Sequence, residues 1–455
     1  ESLVRLGTVM KPTAKLSTPN LAALPHVMQE LFTEVADQLA REHQVIKRQR
    51  SLTGSSLAQS LVLGWLEKPE ARLTDLAQTT GLVGTPISPQ ALAKRLEQPN
   101  VAAFLRALFE RASSYLFAAE RTVPPGLLCF EDIEISDGSV IHLPGELRES
   151  YPGCGKPGDA NYAGIKLLTK FNWVTGAIRT ELLLAKDHDR ISEESKVGGR
   201  KTLYLRDLGF FKIKALKAEG QAGHSFITRI KSGVRIYRGD NQQAIQDMGT
   251  WLKQHVSAEG EVDEKIMLGK KERLACRLVA RRVPEEVLGG RIKQAQLEAI
   301  KRLKPSDHFV KEELAWDIRI TNVGCEQLKV VDIFLVYCLR WQIELLFKLL
   351  KSEHRVDESR SKHPQRCLSE VLAKLLGALV QHWCVLATTW QVLDSSLVLL
   401  SRAVRRCVVL MIGFLRGEVS FEYIKGVLLN IMRRGVSIQK RRRKPNALQK
   451  LESVG

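Results

Sequence analysis

In and around VYCLRWQIELLFKLLK, residues 336–351, apolar and charged side chains recur at three- and four-residue spacing. On a helix of about 100° per residue, Tyr337, Arg340, Glu344, Lys348 and Lys351 share one stripe. Leu335, Leu339, Ile343, Leu346 and Leu350 face the other way. A mixed-charge stripe is ordinarily a solvated helix face. Here, however, a single carboxylate is ringed by a phenol, a guanidinium and two ammonium groups.

Helical spacing also dominates residues 1–122. VMQELFTEVADQL places Met28, Leu31, Phe32, Val35 and Leu39 on one side. RLTDLAQTTGLVGTPISPQALAKRLEQ carries two helix starts, one capped by Thr74 and one by Ser88 ahead of Pro89. The second helix bears Lys94 and Arg95, so the pair is either a helix-turn-helix reader of DNA or a plain helical hairpin.

The period changes after TVPPG (122–126). LLCFEDIEISDGS alternates and predicts a strand ending near Asp137; IKLLTKFNW and AIRTELLLA predict a hairpin over Val174, Thr175 and Gly176. KTLYLRDLGFF predicts a fourth strand with Asp207 at its polar end, followed by a helix over about 210–222 and a fifth strand, HSFITRIK. That order is expected of a ribonuclease-H-like α/β sheet, covering 123–231. Residues 232–326 break it with basic strand-like pieces around a helix and predict an inserted β-rich subdomain. A long helix over 327–356 resumes the main domain. Residues 357–455 predict a helical C-terminal region ending in the basic run QKRRRKPN (439–446), a candidate phosphate contact.

Composition narrows the partners. The 455-residue chain is 44% hydrophobic with a formal charge of +19 and a pI near 9.6, which favours a polyanion, nucleic acid first. A membrane fits less well. CVVLMIGFL (407–415) is shorter than the roughly 20 residues a spanning helix needs. LAKLLGALVQHWCVLATTW is interrupted by Lys374, Gln381 and His382, and predicts a buried helix. Eight scattered cysteines without a CxxC pair point to reduced thiols in a cytoplasmic protein without a secretory signal, and away from a zinc site.

Asp137, Asp207 and Glu344 sit on elements whose ends can converge at one sheet edge. Three carboxylates without His or Cys suit hard cations such as Mg²⁺ or Mn²⁺. Two such ions about 4 Å apart activate a water or a 3′-hydroxyl and stabilise the leaving oxygen in phosphoryl transfer. Beside such an acid, Arg340 forks to phosphate oxygens, Lys348 and Lys351 add point charge, and Tyr337 donates its hydroxyl. Asp240 in YRGDNQ and Asp187 or Asp189 in AKDHDR are alternatives for the second acid; Asp207 fits the strand-to-helix placement better. His142, His188 and His354 are expected to be ordinary polar residues, and Trp341 a packing residue.

Tyr337, Arg340, Glu344 and Lys351, separated by two, three and six residues, match the YREK pattern, and the chain resembles the DDE transposases of insertion-sequence family four. The resemblance covers about 127–352 and includes ISDGSVIHLP, YLRDLGFF ahead of SFITRIKSG, and RITN before the signature helix. It implies binding to the inverted repeats of the protein's own element, metal-dependent cleavage, and joining of the 3′-hydroxyl to target DNA, commonly after a hairpin. It implies that Asp137, Asp207 and Glu344 hold two Mg²⁺ or Mn²⁺ ions and that Tyr337, Arg340 and Lys351 bind phosphate. It also implies a homodimer pairing two ends of double-stranded DNA. Trp316 in LAWDIRITN is placed where such proteins carry a tryptophan that stacks on a flipped base, or it belongs to the core. A non-catalytic DNA-binding regulator, a decayed transposase and a stand-alone nuclease are the alternatives.

Overall fold

A computed structural model of the chain describes residues 21–46, 51–119, 123–153, 163–185, 201–238, 243–301, 311–390 and 396–435. Asp187, Asp189, Asp240, His188, Cys154 and the basic run at 439–446 lie outside the described residues. The chain divides into two compact units. One comprises Glu1–Thr122, Asp137–His188 and Trp341–Arg441; the other comprises Val123–Ser136, Asp189–Arg340 and Arg442–Gly455.

The first unit is mostly helical. Residues 21–42 form one helical run with a π-turn at Leu31–Val35, followed by helices Gly54–Glu67, Leu73–Leu82, Pro89–Leu96 and Pro99–Ser114. A Cβ at Gly54 would collide with Ala36 and Ala40, so glycine lets two helices approach closely. Ser88 caps its helix as expected, its side chain accepting from the Ala91 amide at 3.2 Å. Thr74 does not cap. The neighbouring helix starts at Leu73, and its end is closed by Asp75, whose carboxylate accepts from the Arg72 amide at 2.7 Å. A carboxylate in the first turn reaches back further than the Thr74 hydroxyl and also complements the helix dipole.

Helix Pro364–Thr388 runs through this unit. By length and composition it is apolar enough to cross a membrane, but 83% of its apolar window is buried in the protein. Lys374, 2% exposed, donates to the Arg355 and Glu358 carbonyls at 2.9 Å each and pairs with Glu370 at 2.7 Å. Its charge is therefore satisfied inside the core.

The strands of the first unit are residues 137–142 of β1 (Asp132–His142), β2 (Gly164–Asn172) and β3 (Ile178–Leu184), with β2 and β3 antiparallel. Their hairpin is the expected one. Asn172 Oδ1 accepts from the Val174 and Thr175 amides at 3.0 and 3.1 Å, and Gly176 takes φ +74°. Strand β1 does not end near Asp137. It continues to His142, because beyond Asp137 it lies against β2 rather than facing solvent.

In the second unit, residues 132–136 of β1 run parallel to β4 (Thr202–Arg206), and β4 runs parallel to β5 (Ser225–Thr228) by way of helix Ile213–Gln221. The 232–326 segment extends this sheet. β9 (Trp316–Thr321) pairs antiparallel with β5, β8 (Leu274–Arg282) with β9, β7 (Glu261–Leu268) with β8, and β6 (Ile236–Arg238) with β7. The two-residue period separates the faces. Cys276, Leu278, Ala280, Trp316 and Ile320 join Trp251 and Leu252 in a core. Arg277, Arg281 and Arg319 stand on the opposite face, where Arg281 lies over the Phe334 ring and Arg319 over the Tyr337 ring of helix Val330–Tyr337.

The long helix expected over 327–356 is broken. Val330–Tyr337 is followed by a 3₁₀ turn at Cys338–Arg340, and the α-helix resumes at Trp341–Ser352. A 3₁₀ turn advances by about 120° per residue rather than about 100°. The helical period is therefore interrupted there, and Tyr337, just ahead of the turn, is buried.

His354 in the first unit is 1% exposed, and burial, then the Arg405 and Lys374 charges, pull its pKa down to about 3. The unfolded chain, with an ordinary histidine, takes up this proton first as pH falls. The stability conferred by neutral His354 is thus complete above about pH 6.5 and lost toward pH 3, by at most ~1.4 kcal/mol per pH unit. In thermal melts at pH 7.5 and pH 5, His354→Gln should lose less Tm on acidification than wild type; equal losses would remove His354 from the acid response.

Candidate active site

Asp207 directly follows β4 and precedes the 3₁₀ helix Leu208–Phe210. It occupies the cap position with an extended backbone, yet its side chain makes no capping hydrogen bond. Helix capping, the structural alternative for this residue, therefore does not account for its carboxylate. The residue before it is firmly held. The Arg206 carbonyl accepts the Thr228 hydroxyl at 3.2 Å and the Tyr337 hydroxyl at 3.1 Å. The Arg206 guanidinium lies 4.2 Å over the Tyr204 ring and forms a buried ion pair with Glu219.

Around the Tyr337 ring the second unit gathers cations. Arg319 lies 4.3 Å and Arg340 6.0 Å from the ring centroid. Burial pushes the Tyr337 hydroxyl above its usual pKa, opposed by Arg319 and Arg340 and reinforced by the Asp207 carboxylate. Tyr337, Asp207, Arg229, Arg319 and Arg340 thus share one electrostatic neighbourhood. Arg319 is itself held by Asp317 at 2.6 Å. Sequence reasoning missed Arg319 and Arg229. The alternation of WDIRIT, which puts Asp317 and Arg319 on the face away from the core, was the available signal for Arg319.

The buried Tyr337 corrects the expected open stripe. Its hydroxyl already donates to a main-chain carbonyl, and a 3₁₀ turn follows it in the chain before the helix that carries Glu344 and Lys348. Glu344 sits half-buried in the first turn of Trp341–Ser352, Lys351 lies in its last turn, and Lys348 is exposed between them. Ile343, Phe347 and Leu350 of the same helix are buried.

Asp137 is half-buried within β1, where its Oδ1 accepts from the Gly138 amide at 2.8 Å. The parallel β1–β4 ladder ends at Ser136 and Arg206, and in both strands the next residue along the chain is an aspartate, Asp137 and Asp207. Asp137 and Glu344 belong to the first unit and Asp207 to the second. Among the described residues, no group of three or more His, Cys, Asp or Glu side chains is arranged to hold a metal ion. The candidate donors themselves are all carboxylate oxygens, a set suited to a hard divalent cation.

The two tryptophans differ sharply in burial. Trp316 opens β9 at 3% exposure inside the core, under Arg282, so base stacking would require it to be uncovered. Trp341, expected to pack, is 57% exposed at the start of the helix that carries Glu344.

The family model described as "Transposase DDE domain" matches residues 129–379. The chain is 26% identical over 367 residues to the transposase for insertion sequence element IS231F of Bacillus thuringiensis subsp. israelensis, covering 76% of each protein. It is 28% identical over 372 residues to the IS231C transposase of Bacillus thuringiensis subsp. berliner, covering 77% of each. Against the IS1151 transposase of Clostridium perfringens it is 26% identical over 438 residues, 90% of this chain and 91% of that protein.

Burial separates the tryptophans energetically. Trp316→Ala should cost about 3–5 kcal/mol in urea unfolding, whereas Trp341→Ala should stay within about 0.5 kcal/mol. Similar losses for both would contradict these placements.

Proposed function

The chain belongs to the transposase DDE domain family, and from that premise we propose that it cuts and pastes DNA: it binds the terminal inverted repeats of its own element, cleaves there and joins the ends to a target. The observation that carries this is the β1–β4 ladder: directly after its last pair, Ser136 and Arg206, come Asp137 within β1 and Asp207 just past β4. The sheet is read as ribonuclease-H-like, with residues 232–326 as its insertion and Asp207 at the end of a central strand.

Asp137, Asp207 and Glu344 would hold two divalent cations, Mg²⁺ or Mn²⁺, which when bound activate a water or a 3′-hydroxyl and stabilise the leaving oxygen. An all-oxygen set fits these ions better than zinc. Arg340, with its planar fork, and Lys348 and Lys351, as point charges, bind phosphates near the cleaved end. The formal charge of +19 strengthens attraction to double-stranded DNA at both element ends and target. The N-terminal helices, including Leu73–Leu82 and Pro89–Leu96, take the end-reading role, and a homodimer pairs two ends in the cytoplasm, at the nucleoid.

Asp137→Asn, Asp207→Asn and Glu344→Gln should each abolish Mg²⁺-dependent nicking of element-end DNA while leaving end binding nearly intact. Normal nicking by any one would remove that acid from the site; wild-type protein that binds but never nicks would favour a non-catalytic regulator. Lys351→Ala should weaken end binding across sequences and lower the slope of log K against log salt by about one. An unchanged slope would return Lys351 to the solvated surface.

A further inference from the structure

We propose that Glu353 is a positioning residue: clasped by two arginines of the C-terminal region, it fixes the last turn of helix Trp341–Ser352, and with it the place of Lys351. This rests on the reading of Lys351 as a phosphate contact. A helix end ordinarily frays, because its final carbonyls have no partners within the helix. Here they are taken. The Leu349 carbonyl accepts from the Glu353 and His354 amides at 2.9 and 3.2 Å, and the Leu350 carbonyl accepts from the Val356 amide at 3.2 Å. The Glu353 carbonyl accepts from the Arg405 guanidinium. The Glu353 carboxylate completes the clasp, pairing with Arg405 at 3.2 Å and with Arg402 at 3.0 Å. A forked guanidinium that grips main chain and carboxylate together restrains direction as well as distance.

Both arginines belong to helix Leu397–Arg405, which is firmly seated. Its Leu400, Ala403 and Val404 are buried, and its buried Ser401 donates to Gln381 at 2.6 Å. Beyond the clasp the chain stays held. His354 is buried beside Arg405. Arg355 takes φ +49°, a left-handed conformation that a residue other than glycine keeps only where its surroundings impose it. Lys374 supplies that restraint by donating to the Arg355 and Glu358 carbonyls. Glu353 is thus an acid in a strongly basic chain, two residues from a proposed phosphate contact. Its charge alone opposes DNA, whereas its clasp favours it. The two effects differ in sign, so one substitution separates them.

The test uses the full chain and a fluorescein-labelled DNA duplex, with affinity followed by anisotropy across a salt series. Neutralising an acid beside DNA ordinarily tightens binding. Glu353→Gln keeps the side-chain shape but loses the charge that holds both arginines, and should instead weaken binding. The loss should reach up to about eight-fold near 0.1 M salt, the share of one phosphate contact, with the slope of log K against log salt lowered by up to about one. Lys351→Ala should act likewise, and adding Glu353→Gln to it should cause no further loss. Glu353→Asp keeps the charge but is too short to span the clasp; it should also weaken binding, and serves should Glu353→Gln fold poorly. Unfolding alone would lower the fraction of protein that binds, read from a stoichiometric titration, and leave the salt slope unchanged.

Tighter or unchanged binding by Glu353→Gln, or by Glu353→Asp where that variant serves, overturns the proposal. Losses that add in the double variant overturn it as well, since the acid would then act elsewhere than on Lys351. Lys351→Ala separates the levels. If its affinity and slope match wild type, the phosphate contact itself fails and the proposal falls with it. If it weakens binding while the Glu353 variants do not, only the positioning role fails.

Discussion

The second unit turns on a single peptide, the one joining Arg206 to Asp207. Its carbonyl receives two hydroxyl donors from different elements, and the side chain on one end of it is buried as an ion pair with Glu219. A buried guanidinium costs several kcal/mol unless it is paired, so this pairing is required once Arg206 occupies the interior of a central strand. The reward is geometric. The last residue of β4 cannot drift, and the carboxylate that follows inherits its position.

The same unit shows how a basic chain keeps arginines on one face of a sheet without losing its core. Alternation along β8 and β9 sends Cys276, Leu278, Ala280, Trp316 and Ile320 to one face and Arg277, Arg281 and Arg319 to the other. Arg277 is satisfied by a two-pronged contact with Asp263 at 2.7 and 2.9 Å and by the Val323 and Leu328 carbonyls. Arg281 and Arg319 lie over the rings of Phe334 and Tyr337. Planar guanidinium groups tolerate this setting where ammonium groups would not, since they stack on rings and are less strongly hydrated.

What was legible in the sequence follows the range of the forces involved. Strand alternation and turn chemistry are local, so the β2–β3 hairpin over Asn172–Gly176, the Ser88 cap and the strand-to-helix placement of Asp207 were readable. The 3₁₀ break at Cys338–Arg340 was not. LVYCLRWQIELL has helical period throughout, and nothing local distinguishes a straight helix from one rotated so that Tyr337 reaches a carbonyl 131 residues earlier. Tyr337 is buried and Trp341 exposed, an arrangement that the uninterrupted period did not foretell. The extent of β1 was misjudged similarly: Asp137-Gly138 resembles a turn, but a neighbouring strand continues the pairing. Trp316 was ambiguous because a strand tryptophan serves a core or a ligand equally well until its surroundings are seen.

Lys374 has a consequence for biosynthesis. It lies near the middle of Pro364–Thr388, a segment whose apolar length alone would qualify it for the lipid-insertion machinery. A lysine at that depth opposes insertion by about 3 kcal/mol, while inside the protein Glu370 and the Arg355 and Glu358 carbonyls neutralise the same charge. All three partners precede Lys374 in the chain, so they have already left the ribosome when the lysine emerges. The residue thus separates two solvents, disfavouring the bilayer while its charge finds partners in the finished core.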